Sequence, residues 1–418
     1  MDRDASARVR GGAFPWLLLA GIALVAMNLR GPLVAIAPVI GDIEEDLGLS
    51  STAAGLLTSL PVLCFALGTP IAAWTIRLTG AERAVAVSLV GTLAGTIIRS
   101  GGTTEAAFAG TIVIGLAIAI GNVVLPVVIR RDVPPERAQL VTGVYAAMMN
   151  IGSLMTALLT APLAEAIGWQ LALLSWSVFI VAALVVWGVH LRRTTIENAE
   201  ARAAEVLEVT GSIAAIDAAS AAKARSAWRN PMTWLLAAAF AAQSFSFYGL
   251  SAWLPSLVAD EFDFSLVEAG AVASLFQLSA IAGALGAPLL SKSRPVWLQP
   301  ALVGALWISL PLGLLVAPEA YAVWIVLGGI AQGAGFVVII STVVRITRDD
   351  REATQMSALV QAGGYVLAAS GPPLLAALHE SSGGWQQPMI AVLVATVSFL
   401  VLTTVAALRS ARDARAAG

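Results

Sequence analysis

The sequence has little charge for its length. Only 12% of its 418 residues are charged, whereas 58% are hydrophobic, and the mean hydropathy is +0.84. Soluble domains carry about a quarter charged residues, so this composition excludes a soluble protein of this size. The apolar runs reach the roughly 20 residues that a transmembrane helix needs, and they lack the short alternating segments of barrel strands. The sequence therefore predicts an integral membrane protein built from helices.

Residues that support catalysis or metal binding are also scarce. The one cysteine, Cys64, cannot form an intrachain disulfide, and the two histidines, His190 and His379, fall at the ends of predicted helices. There is no H-E-x-x-H motif, no nucleotide-binding loop and no acidic residue in the middle of a predicted span. We therefore expect no enzyme activity, no catalytic residues, no cofactor, no metal and no nucleic-acid partner. The missing buried acid also argues against the usual proton relay.

Twelve apolar runs predict twelve transmembrane helices. They cover residues 14–40, 53–77, 83–100, 106–131, 138–166, 170–191, 231–259, 266–291, 296–317, 320–346, 352–380 and 385–408. All Lys and Arg residues except Arg30 and Arg99 fall on one side, the basic side, which also contains both termini. The loops of the opposite, acidic side carry mainly Asp and Glu, as near residues 42–46 and 260–263. By the positive-inside rule the termini are cytoplasmic, with the first helix retained in a bacterial inner membrane.

The two halves of the chain share a sequence pattern about 215 residues apart. Residues 50–55, SSTAAG, match residues 265–270, SLVEAG, and the tripeptide GWQ at 168–170 recurs at 384–386. Helix seven begins on the same side as helix one, so the halves are parallel repeats, the arrangement known for major facilitator halves.

The repeat divides the chain into three parts. We predict an N-terminal six-helix bundle over 1–191, a cytoplasmic linker over 192–230 and a C-terminal six-helix bundle over 231–418. The Ala-rich linker is expected to be a solvated tether. A short surface helix in its first part and a partner-binding role are the alternatives.

Arg30 lies inside the first apolar run. Residues 26–38 read AMNLRGPLVAIAP, which places a cation and a proline in an otherwise apolar stretch. A charge at membrane depth is costly and usually faces a water-filled cavity or a partner. Pro32 has no N–H for the Asn28 carbonyl, so it weakens the helix beside the arginine. We interpret Arg30 as a solute contact; the alternative is that it pairs only with polar groups of neighbouring helices.

The opening of the chain resembles a known transporter family. Residues 28–72 read NLRGPLVAIAPVIGDIEEDLGLSSTAAGLLTSLPVLCFALGTPIA. This is similar to the cyanate and 2-nitroimidazole permease family of the major facilitator superfamily, which has Asn-Leu-Arg-Pro-like wording followed by L-S-x-x-x-A-G-L-L-T-x-L-P-V. Here Gly31 precedes the proline. The superfamily signature G-x-x-x-D-R-x-G-R-R is retained only at Arg77, Gly80 and Arg83, and its acid is missing.

The resemblance implies an all-α major facilitator fold of two six-helix bundles. In that fold, helices 1, 4, 7 and 10 line a central cavity, helices 2, 5, 8 and 11 lie alongside, and helices 3, 6, 9 and 12 face outward. The candidate substrate-binding residues are then Asn28, Arg30, Asn122, Tyr145, Gln243, Phe247, Gln277, Gln361 and Tyr365.

The chemistry of these residue types suits a small polar solute. An arginine offers forked donors to an anion that has lost its water, and amides and phenols add uncharged donors. Each amide has an alternative role in an interhelical hydrogen bond, worth about 0.6 kcal/mol on average. Phe247 is a candidate for stacking on a flat solute, with plain packing as the alternative.

We therefore predict a secondary transporter, monomeric in the lipid bilayer, that moves a small anionic or polar organic solute by alternating access. Arg30 is its expected main charge contact. Two alternatives stay open at this point. One is a drug or nitroheterocycle exporter of the same fold, and the other is a membrane sensor that does not transport.

Overall fold

The computed structural model describes residues 16–66, 68–197, 228–291, 295–347 and 350–416, and all regular structure in these ranges is helical. The helices of the first half are α1 (Trp16–Asn28), α2 (Gly31–Val34), α3 (Ile40–Leu47), α4 (Ser51–Ala66), α5 (Gly68–Thr79), α6 (Ala81–Arg99), α7 (Thr104–Asp132), α8 (Pro135–Ile167), α9 (Trp169–Ser175) and α10 (Ser177–Glu197). Those of the second half are α11 (Pro231–Phe262), α12 (Leu266–Ser291), α13 (Leu298–Val316), α14 (Tyr321–Ile346), α15 (Asp350–Ala368), α16 (Gly371–Ser382) and α17 (Gln386–Ala416). The prediction of an all-α membrane protein is confirmed.

Most of the predicted spans are recovered as long apolar helices. Within the described ranges, ten helices are long and apolar enough to cross a membrane, and a pair bent by 62°, Ser51–Ala66 with Pro70–Thr79, makes up to eleven. The remaining predicted span, 352–380, corresponds to α15 and α16, which are separated by two residues. The chain is therefore a multi-pass helical protein, and the count of twelve stays a prediction.

The first span is broken near its middle. Leu29 and Arg30 separate α1 from α2. Pro32 has no N–H to donate to the Asn28 carbonyl, so helical hydrogen bonding is interrupted where α1 ends. The segment from α1 to α3 nevertheless forms one candidate span of 32 residues. Arg30 therefore lies on irregular backbone at membrane depth.

The repeated tryptophans make the same contact in both halves. Trp169 Nε1 donates to Asp46 Oδ2 at 3.0 Å, and Trp385 Nε1 donates to Asp260 Oδ2 at 2.9 Å. Both indole rings are buried. Each bond joins the sixth predicted helix of a half to the acidic end of that half's first helix. The fold thus repeats a contact at the spacing that the sequence repeat shows.

The predicted boundaries of the two bundles and the linker stay a prediction. Residues 198–227, on which the expected tether and surface helix fall, lie outside the described residues.

Helices predicted to face outward carry apolar stripes on their surface. In α10 and α17 the exposed residues recur every three or four positions, which places them on one helix face. They are Val178, Val181, Val185 and Val189 in α10, and Ile390, Val394, Val397 and Val401 in α17. Such a stripe suits contact with lipid, in agreement with the expected outward position of these two helices.

The two halves pack together between the level of Arg30 and the acidic side. Ile40 of the first half and Leu254 of α11 belong to one buried cluster. The backbones of α4 and α16 also approach closely, because a Cβ added at Gly55 would lie 3.1 Å from the backbone of Pro372. The acidic side is therefore the closed side of this conformation.

Gly283 provides a test of the packing in the second half. A Cβ at Gly283 of α12 would overlap the carbonyl of Ile330 in α14, whereas a Cβ at Gly286 of the same helix meets nothing within 4 Å. We expect Gly283→Val to lower the free energy of unfolding by about 1–3 kcal/mol through overpacking. Thermal unfolding of the purified protein in detergent measures this, with Gly286→Val as the matched control. Equal unfolding temperatures for both variants would contradict the packing described here.

Candidate solute-binding site

Arg30 sits at the start of the short helix α2. Its backbone angles, φ −134° and ψ −35°, are not helical, and its carbonyl accepts from the N–H groups of Leu33 at 3.1 Å and Val34 at 3.2 Å. The Arg30 carbonyl therefore accepts the hydrogen bonds that close the first turn of α2. This geometry turns the chain at Arg30 and fixes the direction in which its side chain leaves the helix.

Neighbouring helices of the first half hold the break in place. A Cβ at Gly152 of α8 would overlap the backbone of Met27, so only glycine permits this close approach of α8 to α1. From α6, the buried Arg99 donates through Nη1 to the Pro32 carbonyl at 2.8 Å. The irregular backbone is thus satisfied by protein groups, as it must be at membrane depth.

The Arg30 guanidinium has few partners. Nη1 donates to Asn150 Oδ1 at 3.2 Å, and Cζ lies 5.0 Å from the centre of the Phe247 ring. No carboxylate of the described residues lies within 4.0 Å of it. The side chain is partly exposed, and none of its remaining nitrogens is buried. Because Asn150 and Phe247 belong to different halves, the guanidinium lies where the halves meet.

Three of the four tyrosines in the chain lie around Arg30. The guanidinium interacts electrostatically with the phenol groups of Tyr145, Tyr248 and Tyr365. Tyr145 comes from α8, whereas the other two come from α11 and α15 of the second half. Phenols offer uncharged hydrogen bonds beside the single cation.

Aromatic rings complete the second-half wall of this group. The Tyr365 ring packs edge-on against Phe240, with centroids 5.0 Å apart, and against Phe65 of the first half at 5.6 Å. Phe247 packs edge-on against Tyr248 at 4.8 Å. Phe240 and Phe247 are buried, whereas Tyr248, Tyr365 and Phe65 are partly exposed, so the site combines one accessible cation with a packed aromatic wall.

The structure brings four of the nine predicted residues together, namely Arg30, Tyr145, Phe247 and Tyr365. It adds Asn150 and Tyr248, which were not among the nine. One sequence signal could have found Tyr248: tyrosine is rare in this chain, and three of the four occur mid-span. Asn150 carries the same signal as the predicted amides, a polar residue in the middle of a span, and the crossing of α8 against α1 brings it to Arg30.

Asn28 is turned away from this group. It is buried, and its Nδ2 donates to the carbonyls of Leu24 at 2.8 Å and Phe179 at 3.2 Å. The first bond lies within α1, and the second joins α1 to α10 within the first half. In this conformation its amide N–H groups are therefore occupied by the protein itself.

Gln243 and Gln277 are buried in the second half. Gln243 Nε2 lies 3.4 Å from the Gln332 carbonyl, and Gln277 Nε2 lies 3.5 Å from Ser251 Oγ. Asn122 and Gln361 are partly buried on α7 and α15, and neither shares a hydrogen bond with Arg30. A solute role for these four residues stays a prediction.

Small cavities lie beside the break. One of about 20 Å³ is lined by residues that include Asn28, Pro32 and Gly152, and another of about 10 Å³ lies between the halves next to Gln277 and Ser251. Each has room for about one water molecule. An organic solute therefore does not fit in either, and the accessible face of Arg30 is the better candidate position.

Comparison with known proteins places this geometry in a family. The family model of the Major Facilitator Superfamily matches residues 17–325. The chain is 32% identical over 383 residues to the 2-nitroimidazole transporter of Escherichia coli K12, covering 90% of this chain and 92% of that protein. It is 24% identical over 397 residues to the cyanate transport protein CynX of the same organism, covering 92% and 96%.

The fold has solved counterparts as well. A bacterial homologue of the human lysosomal transporter Spinster, crystallised inward-facing and unoccupied, superposes with a TM-score of 0.72 at 17% identity, over 96% of this chain and 99% of that one. At this identity the likeness concerns the fold alone. The family, the relatives and the fold are those of transporters, which confirms that the protein is not an enzyme. The chain belongs to the Major Facilitator Superfamily.

Proposed function

We propose that this transporter carries a small, flat anionic or polar organic solute, that the solute binds at Arg30 between the two halves, and that it crosses the membrane by alternating access. The observation that carries the proposal is the state of Arg30. A guanidinium has five N–H donors, and among the described residues this one makes a single hydrogen bond, to a neutral amide.

The charge of Arg30 calls for a counter-ion. A cation at membrane depth is costly unless it is paired or wetted, and within the described residues no acid pairs with it. A carboxylate-like or nitro-like group accepts forked hydrogen bonds from a guanidinium. A bound solute of that kind supplies the missing partner. When the solute leaves, water can solvate the arginine again, which keeps binding reversible.

The aromatic surroundings favour a flat solute. The Phe247, Tyr248 and Tyr365 rings border the guanidinium from the second half. The relatives named for their solutes are a 2-nitroimidazole transporter and a cyanate transport protein. Both solutes are small conjugated molecules with electron-rich ends. A cation beside aromatic faces suits that chemistry.

A neutral nitroheterocycle exporter is the second candidate. The similarity to the 2-nitroimidazole transporter favours it, since such a solute needs stacking surfaces more than a full charge. Competition between cyanate or benzoate and 2-nitroimidazole for binding separates the two proposals.

Support for alternating access comes from a contact between the halves on the acidic side. Glu380 of α16 accepts from the Thr52 backbone N–H at 2.9 Å and from Thr52 Oγ1 at 2.8 Å. Thr52 lies in the first turn of α4, where backbone N–H groups have no helical partner. A residue of one half thus caps a helix of the other, and the contact exists only while the acidic side is closed.

The matching helix start in the second half is capped within its own half. There Glu268 binds the backbone N–H of Ser265 at 3.0 Å and its hydroxyl at 2.8 Å, which forms a local capping box. The first half has Ala53 where the second has Glu268. At the start of α4 the Ser50 hydroxyl accepts from the Ala53 N–H at 3.2 Å, and Glu380 adds a cap at Thr52 from the other half.

Arg30 variants test the binding proposal. We expect Arg30→Ala to abolish uptake of cyanate, benzoate or 2-nitroimidazole into proteoliposomes, and Arg30→Lys to reduce it at least tenfold because forked donation is lost. Arg412→Lys, an exposed arginine at the end of α17, is the control. Unchanged uptake by a folded, inserted Arg30→Ala protein would remove Arg30 from the site.

Asn150→Asp tests the need for a counter-ion. The new carboxylate would stand where the amide oxygen now lies, 3.2 Å from Arg30 Nη1, and would pair with the guanidinium. We expect the Kd for benzoate to rise at least tenfold and that for neutral benzamide to change less than threefold, as measured by thermal-shift titration. Asn150→Ser, which adds no charge, is the control. Equal losses for both ligands would contradict the proposed charge contact.

Two substitutions test the cap between the halves. Glu380→Gln removes the charged cap, and Thr52→Val removes the hydroxyl that donates to Glu380 at 2.8 Å. Caps are worth about 1 kcal/mol, so we expect each variant to shift the population toward an open acidic side by about fivefold. Spin labels at Glu45→Cys and Ser381→Cys in a Cys64→Ser background report the separation. Unchanged distances in both variants would contradict the cap.

The same measurement has a defined pH dependence. The hydrogen bonds from Thr52 lower the pKa of Glu380 below its usual value. A lowered carboxyl pKa stabilises the contact above the usual carboxyl range, and that stabilisation is lost as the pH falls through the lowered pKa. The distances are therefore expected to be constant between about pH 6 and 8.

A further inference from the structure

Arg99 is a second arginine, buried at the end of its helix, and solute binding as proposed above makes no use of it. It is the last residue of α6 and only 3% exposed. Its Nη1 donates to the Pro32 carbonyl at 2.8 Å, and its buried Nε has no hydrogen-bond partner among the described residues. In the part of the chain that the structure describes, no carboxylate lies within 4.0 Å of it. Burying a charge without a counter-charge is costly, so the position of this guanidinium calls for a structural or functional explanation.

Anchoring its own helix does not explain Arg99. A cation at a helix C-terminus interacts favourably with the helix dipole, but it can do so while its long side chain reaches for water. The loop after Arg99 is exposed at Gly101 and Gly102. The guanidinium instead points inward and bonds a carbonyl of another helix.

The carbonyl that Arg99 binds belongs to the turn that follows Arg30. In α2 the Gly31 carbonyl accepts from the Ala35 N–H at 2.9 Å. The next carbonyl, that of Pro32, accepts from Arg99 instead. The Arg30 carbonyl holds the same turn from its other end through Leu33 and Val34. The position of α2 and the backbone direction at Arg30 are therefore linked.

The base of the Arg99 side chain is itself fixed. A Cβ at Gly110 of α7 would lie 2.6 Å from the Arg99 Cα, so α6 and α7 touch through their backbones at this residue. A rigid helix pair thus holds Arg99, Arg99 holds Pro32, and α2 sets Arg30. The charge makes the link strong, because hydrogen bonds from ionised donors are about twice as strong as neutral ones.

We propose that Arg99 is a positioning residue, which holds the Gly31–Val34 turn so that the Arg30 side chain projects between the two halves. Arg99 does not touch the solute. The proposal rests on the solute role of Arg30 for its functional meaning, but the structural link from Arg99 to the turn can be measured without any solute.

The first experiment measures amide hydrogen exchange by mass spectrometry on the full-length protein in detergent or nanodiscs. We expect Arg99→Met to speed exchange at least tenfold in peptides covering residues 29–36. Arg99→Lys keeps the charge and one donor to Pro32, so we expect less than a threefold change. Thr96→Val removes a buried hydroxyl of α6 that donates to the Thr92 carbonyl of the same helix at 2.8 Å, and it serves as the matched control.

The second experiment measures transport of 2-nitroimidazole and benzoate in proteoliposomes. We expect Arg99→Met to raise KM at least tenfold with the maximal rate within twofold, and Arg99→Lys to keep KM within threefold. If Arg99→Met fails to insert, Arg99→Gln, which retains an amide donor without the charge, replaces it in both experiments.

The outcomes separate the two proposals. Unchanged exchange over 29–36, or faster exchange confined to α6 and α7 and shared by Thr96→Val, overturns the positioning role. Faster exchange at the turn together with full transport by Arg30→Ala leaves Arg99 as the holder of the turn and overturns the solute role of Arg30. Faster exchange with a raised KM, rescued by lysine, supports both.

Discussion

An unpaired guanidinium at membrane depth is the constraint around which this structure is arranged. Arg30 cannot be left in lipid, because a charge there is costly, and within the described residues the chain gives it no acid. It is instead placed where the two halves meet, with one amide, one aromatic face and several phenols around it. That position leaves most of its donors accessible, which is the property that a reversible solute site needs.

The proline break makes this placement possible and creates a second requirement. Once Pro32 interrupts the helix, carbonyls at membrane depth need other partners. The fold meets that requirement from the first half, by the close approach at Gly152 and by the donor from Arg99. The second half contributes the aromatic wall. The first half therefore holds the cation, and the second half covers it.

The division between a holding half and a covering half fits a protein whose halves move relative to each other. Contacts inside the first half can persist while Phe247, Tyr248 and Tyr365 move away with the second half. The cap of α4 by Glu380 also joins the two halves, so it too breaks when the halves separate on the acidic side. Its counterpart in the second half is local and independent of the other bundle.

The membrane class, the helical fold and the family resemblance could be predicted from the residues alone, and so could the choice of Arg30 as a candidate, because hydropathy, charge and a proline beside an arginine act over short stretches of chain. The sequence also marked the repeat that reappears in the Trp169 and Trp385 contacts. The tertiary structure alone decided which polar residues meet Arg30. Asn28 lies two residues away but bonds to Phe179, whereas Asn150 and Phe247 come from distant helices. Which helix faces touch depends on crossing geometry at positions such as Gly152, and no local pattern encodes it.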